Sequence, residues 1–279
     1  MTSLAAFAAA RAADRITLTG LLGLRALPYV AEGVAPVGPP IAGLVVEAMG
    51  HAERPGWHAS TGLHGFVALP PGPCRLLVTD PQRRFLAAAF AAVVPDRSAI
   101  RRGIEAGLTV PPTTPRPLLR DVALHPAPGG PIPRGHTAAW GVVSAAGRPV
   151  PLARLALATL VGGALRTLVT WSAADGSYLL LLPGERPDLI GGTAPWPAER
   201  ALTLHAPKPA LAAALAADPL AALPAEADAI DPEAVAAPFA RRGFSLRAAD
   251  GTPRAGDAGA DPTLPLQGGR SLRWDIELV

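Results

Sequence analysis

The chain has 279 residues, 49% of them hydrophobic but only 5% aromatic, with one cysteine and a formal net charge of +3. That length accommodates two domains, and with so few aromatic residues their cores must be built from Ala, Val and Leu around five tryptophans. A single thiol excludes an intramolecular disulfide framework, scattered arginines with only three doublets (Arg83-Arg84, Arg101-Arg102, Arg241-Arg242) give no nucleic-acid footprint, and uncharged runs broken by Pro and Gly exclude a helical membrane span.

Residues 1–15 form an Ala-rich arm, either a short helix capped by Ser3 or an extended tail suited to lying on a neighbour. No basic residue precedes its apolar run and Asp14 follows soon after, so a signal peptide is not expected and the default address is the cytoplasm. The scarcity of Lys, Asn and Gln fits a GC-rich bacterial genome. From Ile16 the pattern turns to β: Ile16-Thr17-Leu18-Thr19 alternates, a Gly-Leu-Leu-Gly step follows, and residues 24–30 alternate again.

Residues 39–48 and 62–81 predict further strands separated by a variable hairpin excursion. Arg84 to Val94 has helical propensity. It nevertheless lies where a sandwich needs its next strand and ends in β-branched residues before Pro95, so strand is favoured. The run Pro111-Pro112-Thr113-Thr114-Pro115-Arg116-Pro117 reads as an extended linker, because each proline removes a donor and pushes its predecessor toward β or polyproline II. It divides a first module, 16–110, from a second, 111–206.

The second module is expected to open with a strand at 118–124, cross a Pro/Gly turn, run through residues 137–143 and close at residues 202–205. Pro40 and Pro151, Ala42 and Ala153, and Gly65 and Gly176 all stand 111 residues apart, which marks an internal repeat. In the second copy Asp175-Gly176 and Leu182-Pro183-Gly184 read as turns that fix strand register. Downstream, Asp218-Pro219 and Asp231-Pro232 have helix-opening chemistry, so the insertion at 207–243 is expected to hold short helices at 208–216, 218–223 and 231–240. A C-terminal β segment, 244–279, packs on a sandwich in this reading. In its last strand strict alternation puts Leu272, Trp274, Ile276 and Leu278 on one face.

The pattern Pro149-Val150-Pro151-Leu152-Ala153, followed by Ala174-Asp175-Gly176-Ser177-Tyr178-Leu179-Leu180-Leu181-Leu182-Pro183-Gly184, resembles the carboxypeptidase regulatory-like, or transthyretin-like, β-sandwich family. That family pairs a Gly-x-Pro-Val-x-x-Ala-x-Val strand with Thr-x-x-Asp-Gly-x-Tyr-x-Phe-x-x-Leu-Pro-Pro-Gly-x-Tyr. The first copy keeps Leu69-Pro70-Pro71-Gly72 but lacks the Asp-Gly and has Cys74 at the usual aromatic position. The resemblance covers about residues 37–80 and 140–184. It implies a mainly β chain of two tandem Ig-like, transthyretin-like β-sandwiches, and modules of this kind serve in stabilisation, adhesion or assembly. The transthyretin-like hydroxyisourate hydrolase carries a Tyr-Arg-Gly-Ser signature where this chain has Ile276-Glu277-Leu278-Val279, so that enzyme is not expected.

His51, His58 and His64, with Glu53, share one hairpin excursion but match no compact zinc spacing, and read as exposed loop histidines. His125, His136 and His205 are isolated, and Asp228, Asp231 and Glu233 suit helix N-termini better than acid/base work. Cys74, in a strand-like context, reads as a small buried hydrophobe rather than a nucleophile. With no nucleophile elbow, metalloprotease helix, P-loop or dinucleotide fingerprint, no catalytic, cofactor or metal site is assigned. Trp140, Trp171 and Trp274 are assigned to cores, while Trp57 and Trp196, in Pro/Gly-rich loops, are the candidate partner contacts. The functional expectation is a non-enzymatic scaffold or decorating subunit of a larger bacterial or phage-derived particle, tail-like or contractile-injection-like, with other structural proteins or itself as partners. The alternative is a glycan- or peptide-binding module.

Overall fold

A computed structural model describes residues 22–96, 98, 119–134, 136–161, 164–182, 198–207, 239–254 and 263–279. Among them the architecture is mainly β, arranged in several sheets. The N-terminal arm, the strand expected at Ile16-Thr17-Leu18-Thr19, the proline linker and the helices expected at 208–216 and 218–223 lie outside the described residues. So does most of 231–240. Its last residues, Phe239 and Ala240, belong to a strand instead of a helix end.

The first module contains β1 (Leu22–Pro28), β2 (Val45–Ala48), β3 (Gly56–His58), β4 (Leu63–Phe66), β5 (Gly72–Thr79), β6 (Ala88–Val94) and β7 (Leu119–Leu124). One sheet runs β3-β4-β1-β7 and the other β2-β5-β6, and the apolar sides of both meet in a core that includes Leu22, Leu24, Val46, Phe66, Leu76, Val78, Phe90 and Val122. β6 is a strand despite its alanines. Pairing with β5 from Gly72↔Val94 to Val78↔Ala88 buries Ala89, Phe90, Ala92 and Val94, and that burial overrides intrinsic helix propensity. The segment expected to open the second module, β7, lies in the first: it pairs in parallel with β1 over Gly23↔Leu119 to Pro28↔Leu124, and its Val122 and Leu124 complete that core.

The second module contains β8 (Thr137–Ala145), β9 (Arg148–Pro149), β10 (Arg154–Val161), β11 (Ala164–Trp171), β12 (Ser177–Leu182), β13 (Ala198–Pro207), β14 (Phe239–Arg241), β15 (Phe244–Ala248), β16 (Pro253–Arg254), β17 (Thr263–Leu266) and β18 (Ser271–Leu278). One sheet runs β12-β8-β18-β15-β16 with β9 on β8; the other runs β11-β10-β13-β14 with β17 on β13. The C-terminal segment is therefore built into the sandwich rather than packed on it. β18 pairs in parallel with β8, and Phe244, Leu246, Leu264, Leu266 and Ile276 join Leu155, Leu157, Tyr178 and Leu180 in one core.

The internal repeat survives at the level of topology. β4-β1-β7 and β12-β8-β18 are each an antiparallel pair followed by a parallel one, and β2-β5-β6 matches β10-β13-β14. Buried Leu44, Val46 and Ala48 repeat 111 residues later as buried Leu155, Leu157 and Thr159. Gly65 does not follow: it sits inside β4 opposite Gly23, and the turn before that strand is made by Gly62, at φ 67°. Gly62 and Gly176 (φ 77°) are the equivalent turn residues, each packed so closely on a proline, Pro40 or Pro149, that a side chain has no room. The Asp175-Gly176 turn is closed by Gly176 N–H donating to Ala173 O, by Asp175 accepting from Ser177 N–H, and by Val143 N–H donating to Gly176 O.

An alanine at 176 meets both a left-handed φ and the Val143 carbonyl oxygen 2.5 Å from its Cβ. Gly176→Ala is therefore expected to cost about 2–4 kcal/mol in urea unfolding. Gly147→Ala, also at positive φ but in open space, is expected to cost only about 1–2 kcal/mol.

Candidate functional site

The two modules meet along β11, an edge strand of its sheet. Ala156↔Val169 pairing with β10 turns the N–H and C=O of Thr167 and Val169 away from the ladder, toward the first module. Three groups of that module meet the Thr167 carbonyl and both Val169 groups. Glu32 N–H donates to Thr167 O at 2.8 Å, Val169 N–H donates to Tyr29 Oη at 3.2 Å, and His125 Nδ1 contacts Val169 O at 3.1 Å, which places the imidazole proton on Nδ1.

Tyr29 and His125 are neighbours because their strands are. Each is the residue after a strand of the parallel β1/β7 pair, whose last partners are Pro28 and Leu124, and their rings stack with centroids 4.0 Å apart. Tyr29 and Leu86 also pack against Ala156, Val169 and Trp171, and Arg154 pairs with Glu32 at 2.8 Å. Leu86 is brought there by the β5–β6 connection. Asp80 holds that connection by accepting from the Gln82 and Arg84 amides and the Arg84 guanidinium, which also donates to Ala42 O. Burial opposes ionisation of Asp80, but these hydrogen bonds prevail and keep its carboxyl below the usual range.

Beside the junction lies a cleft of about 530 Å³. Proline residues of the first module and of the β7–β8 connection form much of its wall, with Tyr29, Phe85 and consecutive residues of β11 and β12 on the remaining sides. Its volume and mainly apolar wall are those of a ligand-binding cleft. Thr170, 1% exposed, lines it, and among the described residues its hydroxyl has no hydrogen-bond partner.

The sequence-predicted candidates do not converge. His58 lies on β3 and its Nδ1 contacts Thr61 Oγ1 and Ser60 Oγ, Glu53 Oε1 accepts from the Val67 and Ala68 amides, and His51 is exposed. His64, expected in an exposed loop, is 5% exposed on the inner side of β4, where burial pushes its pKa down and its ring lies 4.7 Å from that of Trp57. Among the described residues no group of three or more His, Cys, Asp or Glu side chains is placed to hold a metal. Cys74 packs against the first core, and burial pushes its thiol up, away from nucleophilic use at neutral pH.

Trp57 is exposed, on β3 rather than in a loop; Trp196, Asp228, Asp231 and Glu233 lie outside the described residues. Trp171 is buried at the junction and Trp274 packs against the second core. Trp140, expected in a core, is exposed. It stands at the end of a run of buried residues, Thr137, Ala138 and Ala139, on the outward side of β8, with the Arg273 guanidinium 5.5 Å over its ring and Asp275 at 3.0 Å from that arginine. His125, expected as an isolated turn or surface residue, is instead packed at the junction against β11, and Tyr29 was not singled out by sequence; the only local signal is that each follows an alternating apolar strand.

No protein-family model and no curated protein matches this chain. Among solved structures it is similar to the crystal structure of BcpA, the major pilin subunit of Bacillus cereus, at 7% identity over 85% of this chain and 55% of the pilin chain, with a TM-score of 0.23. This chain thus spans about half the length of that pilin, at a likeness below the level of a shared fold.

The junction makes stability depend on pH in a calculable direction. Burial, aided by nearby Arg154 and opposed by the hydrogen bond to Val169 O, pushes the pKa of His125 down to about 4. In the unfolded chain a histidine titrates near 6.5, so between these values the unfolded state binds a proton that the folded state refuses. The His125 contribution is complete above about pH 6.5 and is lost as the pH falls toward 4. Since the residue keeps some solvent contact, the loss is on the order of 1–3 kcal/mol. Urea unfolding at pH 7 and pH 4.5 measures it, and in His125→Phe this part of the pH dependence is expected to disappear.

Proposed function

We propose that this chain is a non-enzymatic structural subunit, two tandem transthyretin-like sandwiches serving as a scaffold or decorating protein in a larger bacterial or phage-derived particle of the tail or contractile-injection kind. It is made in the cytoplasm and joins other structural proteins or further copies of itself. The observation that carries the reading is the junction: one module satisfies the edge hydrogen bonds of the other and packs Tyr29 and Leu86 against Trp171, so two repeats are held at a set angle. Fixed geometry between repeats is what an assembly part requires. The side chains with the most perturbed chemistry support it too, being spent on turns and packing: Asp80 and Asp175 in loops, His125 at the junction, and Tyr178, whose phenol burial keeps protonated and donating to Trp274 O at 2.6 Å.

A second reading, glycan or peptide binding, is favoured by the exposed Trp57 and by Trp140 flanked by Arg273 and Asp275. A glycan array with Trp57→Ala and Trp140→Ala controls separates the two: a structural subunit binds no glycan, or binds one independently of both residues. The subunit reading itself is tested by purifying the protein alone and with its neighbouring gene products, followed by light scattering and electron microscopy. Oligomers or particles containing it are expected, and a protein that stays monomeric in every combination overturns the proposal.

A further inference from the structure

The two edge strands that face the cleft are treated differently. β11 and β12 each contribute three consecutive residues to its wall, 168–170 and 179–181. A strand that turned a face to the cleft would contribute alternate residues, so both present their edges. On β11 the outward Thr167 carbonyl and both outward groups of Val169 are met by Glu32, Tyr29 and His125. On β12 no described residue meets the equivalent groups.

The register shows which ones. Val143 N–H donates to Gly176 O, so Gly176 turns toward β8, and alternation carries Tyr178, Leu180 and Leu182 with it while Ser177, Leu179 and Leu181 turn away. Ser177 is satisfied locally, its N–H on Asp175 Oδ1 and its carbonyl on Ala173 N–H. Among the described residues none bonds the outward N–H or C=O of Leu179 or Leu181. Two donors and two acceptors thus stand in strand spacing on the wall of an apolar cleft, beside the unpartnered hydroxyl of buried Thr170. Water can satisfy such an edge, but its spacing matches one kind of ligand in full, another extended polypeptide.

We infer that the β12 edge is a strand-addition site that receives an extended segment of a second copy of this chain. The wall suits an apolar segment: apart from His136 its one basic side chain, Arg84, is already engaged by Asp80 and Ala42 O. This chain carries such segments beyond the described residues, for instance residues 106–115, Ala-Gly-Leu-Thr-Val-Pro-Pro-Thr-Thr-Pro, without a charge. A cleft of about 530 Å³ admits a few residues of single strand and excludes a folded sheet edge, so the donor is a linear stretch.

The inference rests on the subunit reading, and the test separates the two. Residue-resolved hydrogen exchange on the full chain is measured at low and high protein concentration, alongside sedimentation velocity. The Leu179 and Leu181 amides are expected to exchange rapidly in the dilute protein and to become protected as it self-associates. Leu181→Pro removes only an outward N–H, which an edge strand tolerates, and is expected to weaken self-association about tenfold with little change in melting temperature. Leu181→Ala keeps the donor and is expected to leave association unchanged. Should the proline variant not fold, Leu181→Lys places a charge on the same edge and is expected to weaken association likewise. Protection of both amides at every concentration, or association that leaves them exposed or ignores the proline and lysine substitutions, overturns this inference while the subunit reading stands. Protection that appears only with a different gene product also overturns it, in favour of a heterologous donor. A chain monomeric in all combinations removes both.

Discussion

Parallel pairing of the first and last strands of each module is the constraint on which the rest of the structure depends. β1 and β7 lie side by side pointing the same way, with Arg25 and Asp121 bonded across the pair at 2.6 and 2.7 Å. An exposed pair of this kind adds little stability but fixes register. Residues that leave the two strands therefore emerge together at one end, and Tyr29 and His125 become a stacked unit although 96 residues separate them. In the second module β8 and β18 repeat the arrangement. The two sets of strands thus share one pairing arrangement, an antiparallel pair followed by a parallel one.

The consequence is felt at β11. An edge strand is an exposed row of donors and acceptors, and it must be covered, charged or blunted to avoid unwanted pairing. Here the cover is the other module. Tyr29 accepts, His125 and the Glu32 amide donate, and the apolar flank of the same contact buries Trp171 and Val169. Hydrogen bonds of this sort contribute on the order of 1 kcal/mol each, but leaving the Val169 groups buried and unpaired costs more than making the bonds gains, so the junction is specific. Neutral His125 belongs to the same economy of burial: its charge would be the one unpaired element in the contact.

On the β12 side the fold leaves an edge uncovered by the described residues. β11 and β12 are consecutive in sequence and linked by the Asp175-Gly176 turn, yet they belong to different sheets, so a single body docking from the first module covers one and not the other. Shape, rather than any unusual residue, sets this asymmetry. The leucines of β12 would draw no attention in a list of reactive groups. Their significance comes from which of their backbone atoms the ladder has left over.

Sequence by itself determined the β class, most strand positions from Leu24 onward and the Asp175-Gly176 turn, because those follow from local alternation and turn chemistry, and it marked a 111-residue spacing at which buried Leu44, Val46 and Ala48 return as buried Leu155, Leu157 and Thr159. It misplaced Gly65, since Gly62, three residues earlier, satisfies the same turn requirement and a one-residue pattern cannot tell a turn glycine from one that pairs. It placed Trp140 in a core, because alternation says which residues share a face and not which face is inside. Only the tertiary structure decided that β7 belongs to the first module, that His64 is buried, and that Tyr29 and His125 meet at β11. Those are contacts between residues far apart in sequence, fixed by strand order and sheet membership, and no local pattern encodes either.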